Sequence, residues 1–114
     1  MTAPTVSVVI VSHGRPASLG ICLTGVGQID YPNFEIVIVA DQSGIDAVNA
    51  HALGDQVKLV LFDEMNISAA RNAGVAAAAG EIIAFIDDDA IPEPTWLTHL
   101  IAPYAPPAGA DRLA

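Results

Sequence analysis

Residues 82–89 read Ile-Ile-Ala-Phe-Ile-Asp-Asp-Asp, an apolar run that ends in three consecutive aspartates. The run lacks helical periodicity and follows an alanine-rich segment that stops at Gly80, so it is typical of a buried strand that comes after a helix. The aspartates then lie at the carboxyl end of this strand. Because alternate residues of a strand share a face, Asp87 and Asp89 are expected to point together, with Asp88 on the other side.

Two carboxylates on one face of a strand repel each other. At about 7 Å and an effective dielectric constant of about 20, the repulsion is about 2 kcal/mol, more than a surface ion pair usually contributes. A divalent cation with oxygen ligands, Mn²⁺ or Mg²⁺, would offset it, particularly if it also binds substrate phosphates. The alternative is a solvated acidic turn that caps the next helix. The aspartates alone leave both interpretations open.

The rest of the chain alternates between strand and helix patterns. Three more segments have the Val- and Ile-rich pattern of buried strands, at residues 5–12, 34–40 and 57–62. Helical spacing, capping residues and stop signals predict four helices. The first begins at residue 16 and the second covers residues 47–53. The third runs from a cap at residue 66 or 68 to residue 79, and the fourth begins at residue 94. This order predicts a single small α/β domain, with a parallel twisted sheet of about four strands and helices on both faces.

Polar residues follow every predicted strand. They are Ser12-His13, Asp41-Gln42, Asp63-Glu64 and Asp87-Asp88-Asp89. In a parallel sheet these carboxyl ends meet at one edge, and ligands bind outside that edge where the strand order reverses. The pattern therefore predicts a site at this edge.

Composition narrows the choice of ligand. Thirteen acidic residues against four basic ones give a net charge of −9, which argues against nucleic acid or an anionic membrane as a partner. A phosphate ligand would therefore need a metal or a local cation. No apolar run is long enough to span a bilayer, so direct membrane insertion is not expected. The single cysteine, Cys22, lies in an apolar context and favours a buried thiol and a cytoplasmic protein.

Few residues other than the aspartates are candidates for chemistry. The chain has no Gly-rich phosphate loop, no cysteine pair and no zinc spacing of histidines. His13 could contact a base or be an ordinary turn histidine. Arg71 could reach a diphosphate with its guanidinium, or form an ion pair with a nearby carboxylate.

Four segments, taken in order, resemble the signatures of family 2 glycosyltransferases. They are residues 6–15, 34–43, 70–74 and 80–89. The resemblance implies a GT-A fold, which is Rossmann-like in this half. It also implies binding of a nucleoside-diphosphate sugar, usually a UDP-sugar, through Mn²⁺ or Mg²⁺ held by an Asp-x-Asp motif, and transfer of the sugar to an acceptor hydroxyl.

The resemblance also implies roles for individual residues. The nucleotide-binding residues would be Val11, His13, Asp41, Arg71 and Asp88. The metal ligands would be Asp87 and Asp89. Asp41 would accept a hydrogen bond from the base, which Val11 and His13 would border. Arg71 would lie near the nucleotide, and Asp88 would contact the ribose.

The chain departs from the family pattern in three places. Ala40 stands where a second acidic residue is common beside Asp41, and His13-Gly14 replaces an aromatic residue followed by asparagine. Family members continue into an acceptor site that carries a general base, and no residue after Trp96 can be assigned that role. We therefore expect residues 1–102 to be the nucleotide-sugar-binding half and residues 103–114 a flexible tail. The acceptor half is expected to be absent, and no catalytic residue is assigned.

Two other functions fit parts of the sequence. The first is a noncatalytic nucleotide-binding or dimerising module, with a homodimer formed through the face left by the missing half. The second is a phosphatase-like or phosphoacceptor use of the aspartates. The position of the motif on the fourth strand argues against the second, and so does Lys58, which opens a strand.

Overall fold

The computed structural model describes residues 4–104. Its strands are β1 (Val6–Ser12), β2 (Phe34–Ala40), β3 (Val57–Leu61) and β4 (Ile82–Asp87). Its helices are α1 (Pro16–Val26), α2 (Gln42–Asn49), α3 (Ile67–Ala77) and α4 (Trp96–Ile101), with short 3-10 turns at Gly54–Gln56 and Ala102–Tyr104. The predicted tail lies outside the described residues, except for the turn at its start.

The four strands form one parallel sheet in the order β3-β2-β1-β4. β1 lies in the centre, and Val9 of β1 is paired with Val37 on one side and Phe85 on the other. The chain moves outward from β1 through β2 to β3 and then returns to the other side of β1 to form β4. The predicted parallel α/β fold is confirmed, and the strand order reverses between β1 and β4.

Helices cover both faces of the sheet. On one face Val8 and Ile10 pack with Leu19 and Leu23 of α1 in a core that excludes solvent. On the other face α3 packs so closely that a Cβ added at Gly74 would lie 2.6 Å from Cγ1 of Val9. The glycine is therefore required by close contact between helix and sheet.

The second helix starts earlier than its sequence pattern indicates. Residues 41–44 have the composition of a turn, and the helix was expected at residues 47–53. Instead α2 begins at Gln42, because the carboxylate of Asp41 accepts a hydrogen bond from the Gly44 N–H at 3.1 Å and caps the helix. Gly44 itself packs against Ala40, where a Cβ would lie 2.7 Å from the alanine methyl group. The predicted bounds of 47–53 are wrong, because a cap and a small residue let the helix follow the strand directly and it ends at Asn49.

A polar cluster joins elements at the amino edge of the sheet, away from the aspartates. The Glu35 carboxylate accepts hydrogen bonds from the Ser7 hydroxyl at 2.5 Å and the Ala79 N–H at 2.6 Å, and lies 3.2 Å from the Lys58 ammonium group. Burial alone would raise the pKa of Glu35, but these partners outweigh it and hold the pKa below its ordinary value. The cluster attaches the end of α3 to three strands.

Two further expectations can be compared with the structure. Cys22 is buried, and burial, reinforced by the charges of the nearby aspartates, raises the pKa of its thiol to about 11. The prediction of a buried thiol is confirmed. Across residues 4–104, none of the helices has the length and apolar character needed to cross a membrane.

Candidate functional site

A cavity of about 450 Å³ opens at the carboxyl edge of the sheet, where the strand order reverses between β1 and β4. The end of β1 and the loop after it contribute Val11, Ser12, His13 and Arg15 to its wall. The end of β4 and the turn after it contribute the three aspartates, and residues between 62 and 70, before and within α3, complete the wall. The cavity lies where the sheet topology predicts a ligand.

All three aspartates line this cavity, although their burial alternates along the chain. β4 ends at Asp87, and residues 88 and 89 form a turn. Asp88 is buried, whereas Asp87 and Asp89 are exposed. The prediction that Asp88 points away from its neighbours is wrong, because Asp88 and Asp89 approach the same guanidinium group.

The buried carboxylate of Asp88 is held by two partners from the β1 side. The Ser12 hydroxyl donates a hydrogen bond to Oδ2 at 2.9 Å, and Nη1 of Arg15 lies 3.3 Å from Oδ1. Arg15 Nη1 also lies 3.8 Å from Oδ2 of Asp89. Sequence reasoning missed Arg15 as a site residue. The only available signal was its place in the polar loop that follows a strand.

The loop after β1 is shaped by Gly14, which has a φ of +70°. This left-handed conformation favours glycine. It lets the Gly14 N–H donate a hydrogen bond to Oδ2 of Asp41 at 3.0 Å. The loop is thereby tied to the start of α2.

Asp41 accepts three hydrogen bonds from the protein, from the N–H groups of Gly14 and Gly44 and the hydroxyl of Ser43. Burial alone would raise the pKa of this carboxyl. The hydrogen bonds outweigh that effect and, with the nearby His13, hold the pKa below its ordinary value. Since a carboxylate offers about four acceptor positions, Asp41 retains capacity for about one further donor.

His13 lies beside this carboxylate and near Asp63. Its Nε2 atom is 4.0 Å from Oδ1 of Asp63, and atoms of His13, Asp41 and Asp63 lie within 4.8 Å of one another. Within residues 4–104 this is the closest grouping of potential metal ligands, and it does not include the predicted ligands Asp87 and Asp89. Because Asp41 already accepts three hydrogen bonds, the group suits a hydrogen-bonding ligand better than a cation.

Two predicted site residues, Asp41 and Arg71, are not part of the cavity wall; Asp41 lies beside the lining residue His13, whereas Arg71 contacts β4. The guanidinium carbon of Arg71 lies 5.7 Å from the centroid of the Phe85 ring, on the α3 side of β4. This cation–π contact is neither of the two arrangements expected from the sequence. Its proximity to a nucleotide stays a prediction.

The cavity is strongly acidic. Four carboxylates line it, from Glu64, Asp87, Asp88 and Asp89, while Arg15 is the only lysine or arginine among the described lining residues. An anionic ligand would need an additional cation here. The side chains of Asp87 and Asp89 offer only oxygen donors, which suits Mn²⁺ or Mg²⁺, so the donor chemistry fits the predicted metal.

The sequence of the chain matches a known family. The family model for Glycosyl transferase family 2 matches residues 7–110. The chain belongs to this family. Glycosyltransferase AglE from Haloferax volcanii is 33% identical over 103 residues, which cover 84% of this family 2 chain and 34% of AglE.

Solved structures share the fold of this family 2 chain. The mannosyltransferase PcManGT from Pyrobaculum calidifontis, in complex with GDP-Man and Mn²⁺, aligns with a TM-score of 0.77 at 23% identity, over 90% of this chain and 33% of its own. S. aureus TarS 1-349 in complex with UDP-GlcNAc aligns with a TM-score of 0.75 at 21% identity, over 86% of this chain and 30% of its own. These alignments confirm a GT-A fold, and the chain spans about a third of each protein's length.

Proposed function

We propose that this chain is the donor-binding part of a glycosyltransferase. It binds a nucleoside-diphosphate sugar, with UDP as the nucleotide, together with Mn²⁺ or Mg²⁺, and the sugar is transferred to an acceptor hydroxyl. The observation that carries the proposal is the position of the three aspartates, which line a cavity at the reversal of strand order in a family 2 chain. Two structural neighbours support the ligand class, since PcManGT was solved with GDP-Man and Mn²⁺ and TarS with UDP-GlcNAc.

Each nucleotide-facing residue has a role that its contacts permit. Asp41, fixed by three protein donors, would accept one more hydrogen bond from an N–H of the base. Val11 and His13, at the end of β1, would border the base. Asp88 would accept hydroxyl hydrogen bonds from the ribose with the lone pairs that Ser12 and Arg15 leave unused. Arg71 keeps its proposed place near the nucleotide.

Asp87 and Asp89 are exposed to the cavity and would hold the metal. When bound, the cation neutralises the diphosphate and stabilises the leaving nucleoside diphosphate. The carboxylates of Asp87 and Asp89 would hold the cation beside the proposed nucleotide site. The general base and the acceptor site would come from outside the part of the chain described.

Calorimetric titration tests the proposal. UDP and GDP are titrated into the purified chain with Mn²⁺ and again with a chelator, for the wild type and for Asp89→Ala. UDP is expected to bind the wild type only with metal, and the substitution is expected to abolish this dependence. Asp55→Ala is the matched control, because Asp55 is an exposed carboxylate in the turn before β3, at the opposite edge of the sheet. Unchanged metal-dependent affinity in Asp89→Ala would overturn the site assignment.

One observation favours the second candidate function, a dimerising module. Phe85 lies in the middle of β4, at the edge of the described sheet, and is 43% exposed. An exposed aromatic ring on an edge strand is typical of a surface that another element covers. We propose that a second copy of the chain covers it in solution. Light scattering across a range of concentrations is expected to show a dimer that Phe85→Ser weakens, and a monomer at every concentration would contradict it.

A further inference from the structure

Arg15 is the only lysine or arginine in the described cavity wall, and the family resemblance assigned it no role. Its guanidinium lies 3.3 Å from the Asp88 carboxylate and 3.8 Å from that of Asp89. The side chain of Asp88 is only 10% exposed, whereas that of Arg15 is 57% exposed. Arg15 is therefore a largely exposed cation beside a buried anion.

The local backbone directs Arg15 to this position. Arg15 stands at the N-cap of α1 but makes no capping hydrogen bond with its side chain. The left-handed Gly14 before it, held by Asp41, turns the chain toward the aspartates. Asp88 also has the Ser12 hydroxyl as a second partner, so it would keep one hydrogen bond if the guanidinium moved away.

A bound metal cation and the guanidinium of Arg15 would compete for the same carboxylates. A divalent cation at Asp87 and Asp89 would lie close to the guanidinium, and two positive charges repel each other strongly in a partly buried site. The diphosphate of a nucleotide sugar would attract the same guanidinium, since arginine binds phosphate oxygens in a bidentate manner. The Arg15 guanidinium can therefore pair with the aspartates before ligands bind and with the diphosphate afterwards.

We propose that Arg15 is an exchangeable counter-ion. It neutralises Asp88 and Asp89 in the free protein, yields Asp89 when a divalent cation binds, and then contacts the donor diphosphate. This inference rests on the proposed function and deepens it. It assigns Arg15 as a residue that lowers the affinity for the metal alone and raises the affinity for the nucleotide in the presence of metal.

Two titrations of Arg15→Gln test whether the substitution raises the affinity for metal and lowers the affinity for the nucleotide. Mn²⁺ affinity without nucleotide, measured from the electron paramagnetic resonance signal of free Mn²⁺, is expected to increase roughly three- to tenfold, the range expected for loss of one partly exposed charge. UDP affinity at saturating Mn²⁺ is expected to decrease by a similar factor. Arg15→Lys should restore part of both effects, because it retains the charge. A merely structural role would not strengthen Mn²⁺ binding.

Lys58→Gln is the matched control. It removes the same charge, but Lys58 contacts Glu35 at the amino edge of the sheet, away from the aspartates. Neither affinity is expected to change in this variant. Mn²⁺ affinity that stays the same or falls in Arg15→Gln would overturn the inference.

A measurement on the wild-type protein covers the case in which Arg15→Gln fails to fold. Mg²⁺ is titrated into ¹⁵N-labelled protein, and the side-chain Nε signals of the arginines are followed. The Arg15 signal should shift, while the Arg71 signal, from the guanidinium over Phe85, should not. An unmoved Arg15 signal during Mg²⁺ binding would overturn the inference. A different result would overturn the proposed function: wild-type protein binds Mn²⁺ but its affinity for UDP does not increase. The effect of Arg15→Gln on Mn²⁺ affinity would still be a valid test of the inference in that case.

Discussion

Replacing Gly74 by alanine tests the close contact between α3 and the sheet. A Cβ at this position would lie 2.6 Å from Cγ1 of Val9 and 3.2 Å from Cγ2 of Val39, so α3 must shift away from the sheet. Overpacking of this kind costs about 1–3 kcal/mol, whereas alanine in place of glycine inside a helix gains about 1 kcal/mol. We expect a net loss of about 1 kcal/mol in the free energy of unfolding, or about 4–8 °C in Tm.

Gly20 in α1 provides the control. It is also inside a helix, but an added Cβ would meet nothing within 4 Å. Gly20→Ala should therefore stabilise the protein by about 1 kcal/mol. Urea and thermal denaturation followed by circular dichroism measure both variants. If Gly74→Ala is as stable as the wild type or more stable, the proposed steric conflict with Val9 is refuted.

Three further predictions concern single side chains near the cavity. Ser12→Ala removes the hydroxyl that donates a hydrogen bond to the buried Asp88 carboxylate. The free energy of unfolding, measured in urea, should fall by about 1.5–3 kcal/mol. A negligible change would show that this hydrogen bond does not stabilise the fold. The pKa of Asp41 is lowered in the folded state, so its ionised form stabilises the protein above the ordinary pKa of an aspartate, and this contribution is lost as the pH falls. The free energy of unfolding of wild type and of Asp41→Asn is measured in urea from about pH 6 to about pH 3. The difference between the two should narrow toward low pH, and a constant difference would argue against a stabilising role of the ionised carboxylate. Cys22, buried with a pKa of about 11, should resist a thiol reagent at neutral pH until urea unfolds the chain, and rapid labelling of the folded protein would contradict this.

The strands and their parallel arrangement could be predicted because they depend on local patterns. The Val- and Ile-rich runs mark buried strands, and the alternation with helices determines the direction of the sheet. The polar residues after each strand then indicate the edge that carries the cavity. This reasoning placed Ser12, His13 and the three aspartates of residues 87–89 on the edge where the structure has them.

The features that could not be predicted depend on side chains that reach across the fold. Arg15 meets Asp88 across 73 positions of sequence, and no local pattern reports such a contact. Arg71 reaches Phe85 of β4 from α3, a helix that packs mainly on β1, β2 and β3, so the contact depends on a long side chain and on no local pattern. The start of α2 was missed because Asp41 caps a helix where its neighbours have the composition of a turn.

The position of β4 at the edge of the described sheet has a consequence for dynamics. β4 is hydrogen-bonded only to β1 among the described strands, so its amide protons should exchange with solvent more readily than those of the central strands. The bond between Ser12 and Asp88 joins residues 76 positions apart, across the boundary between these two strands. A ligand held by both sides of this boundary would act as a clamp on an edge strand. Occupancy of the cavity should therefore appear as slowed hydrogen exchange along the whole of β4, including residues that never touch the ligand.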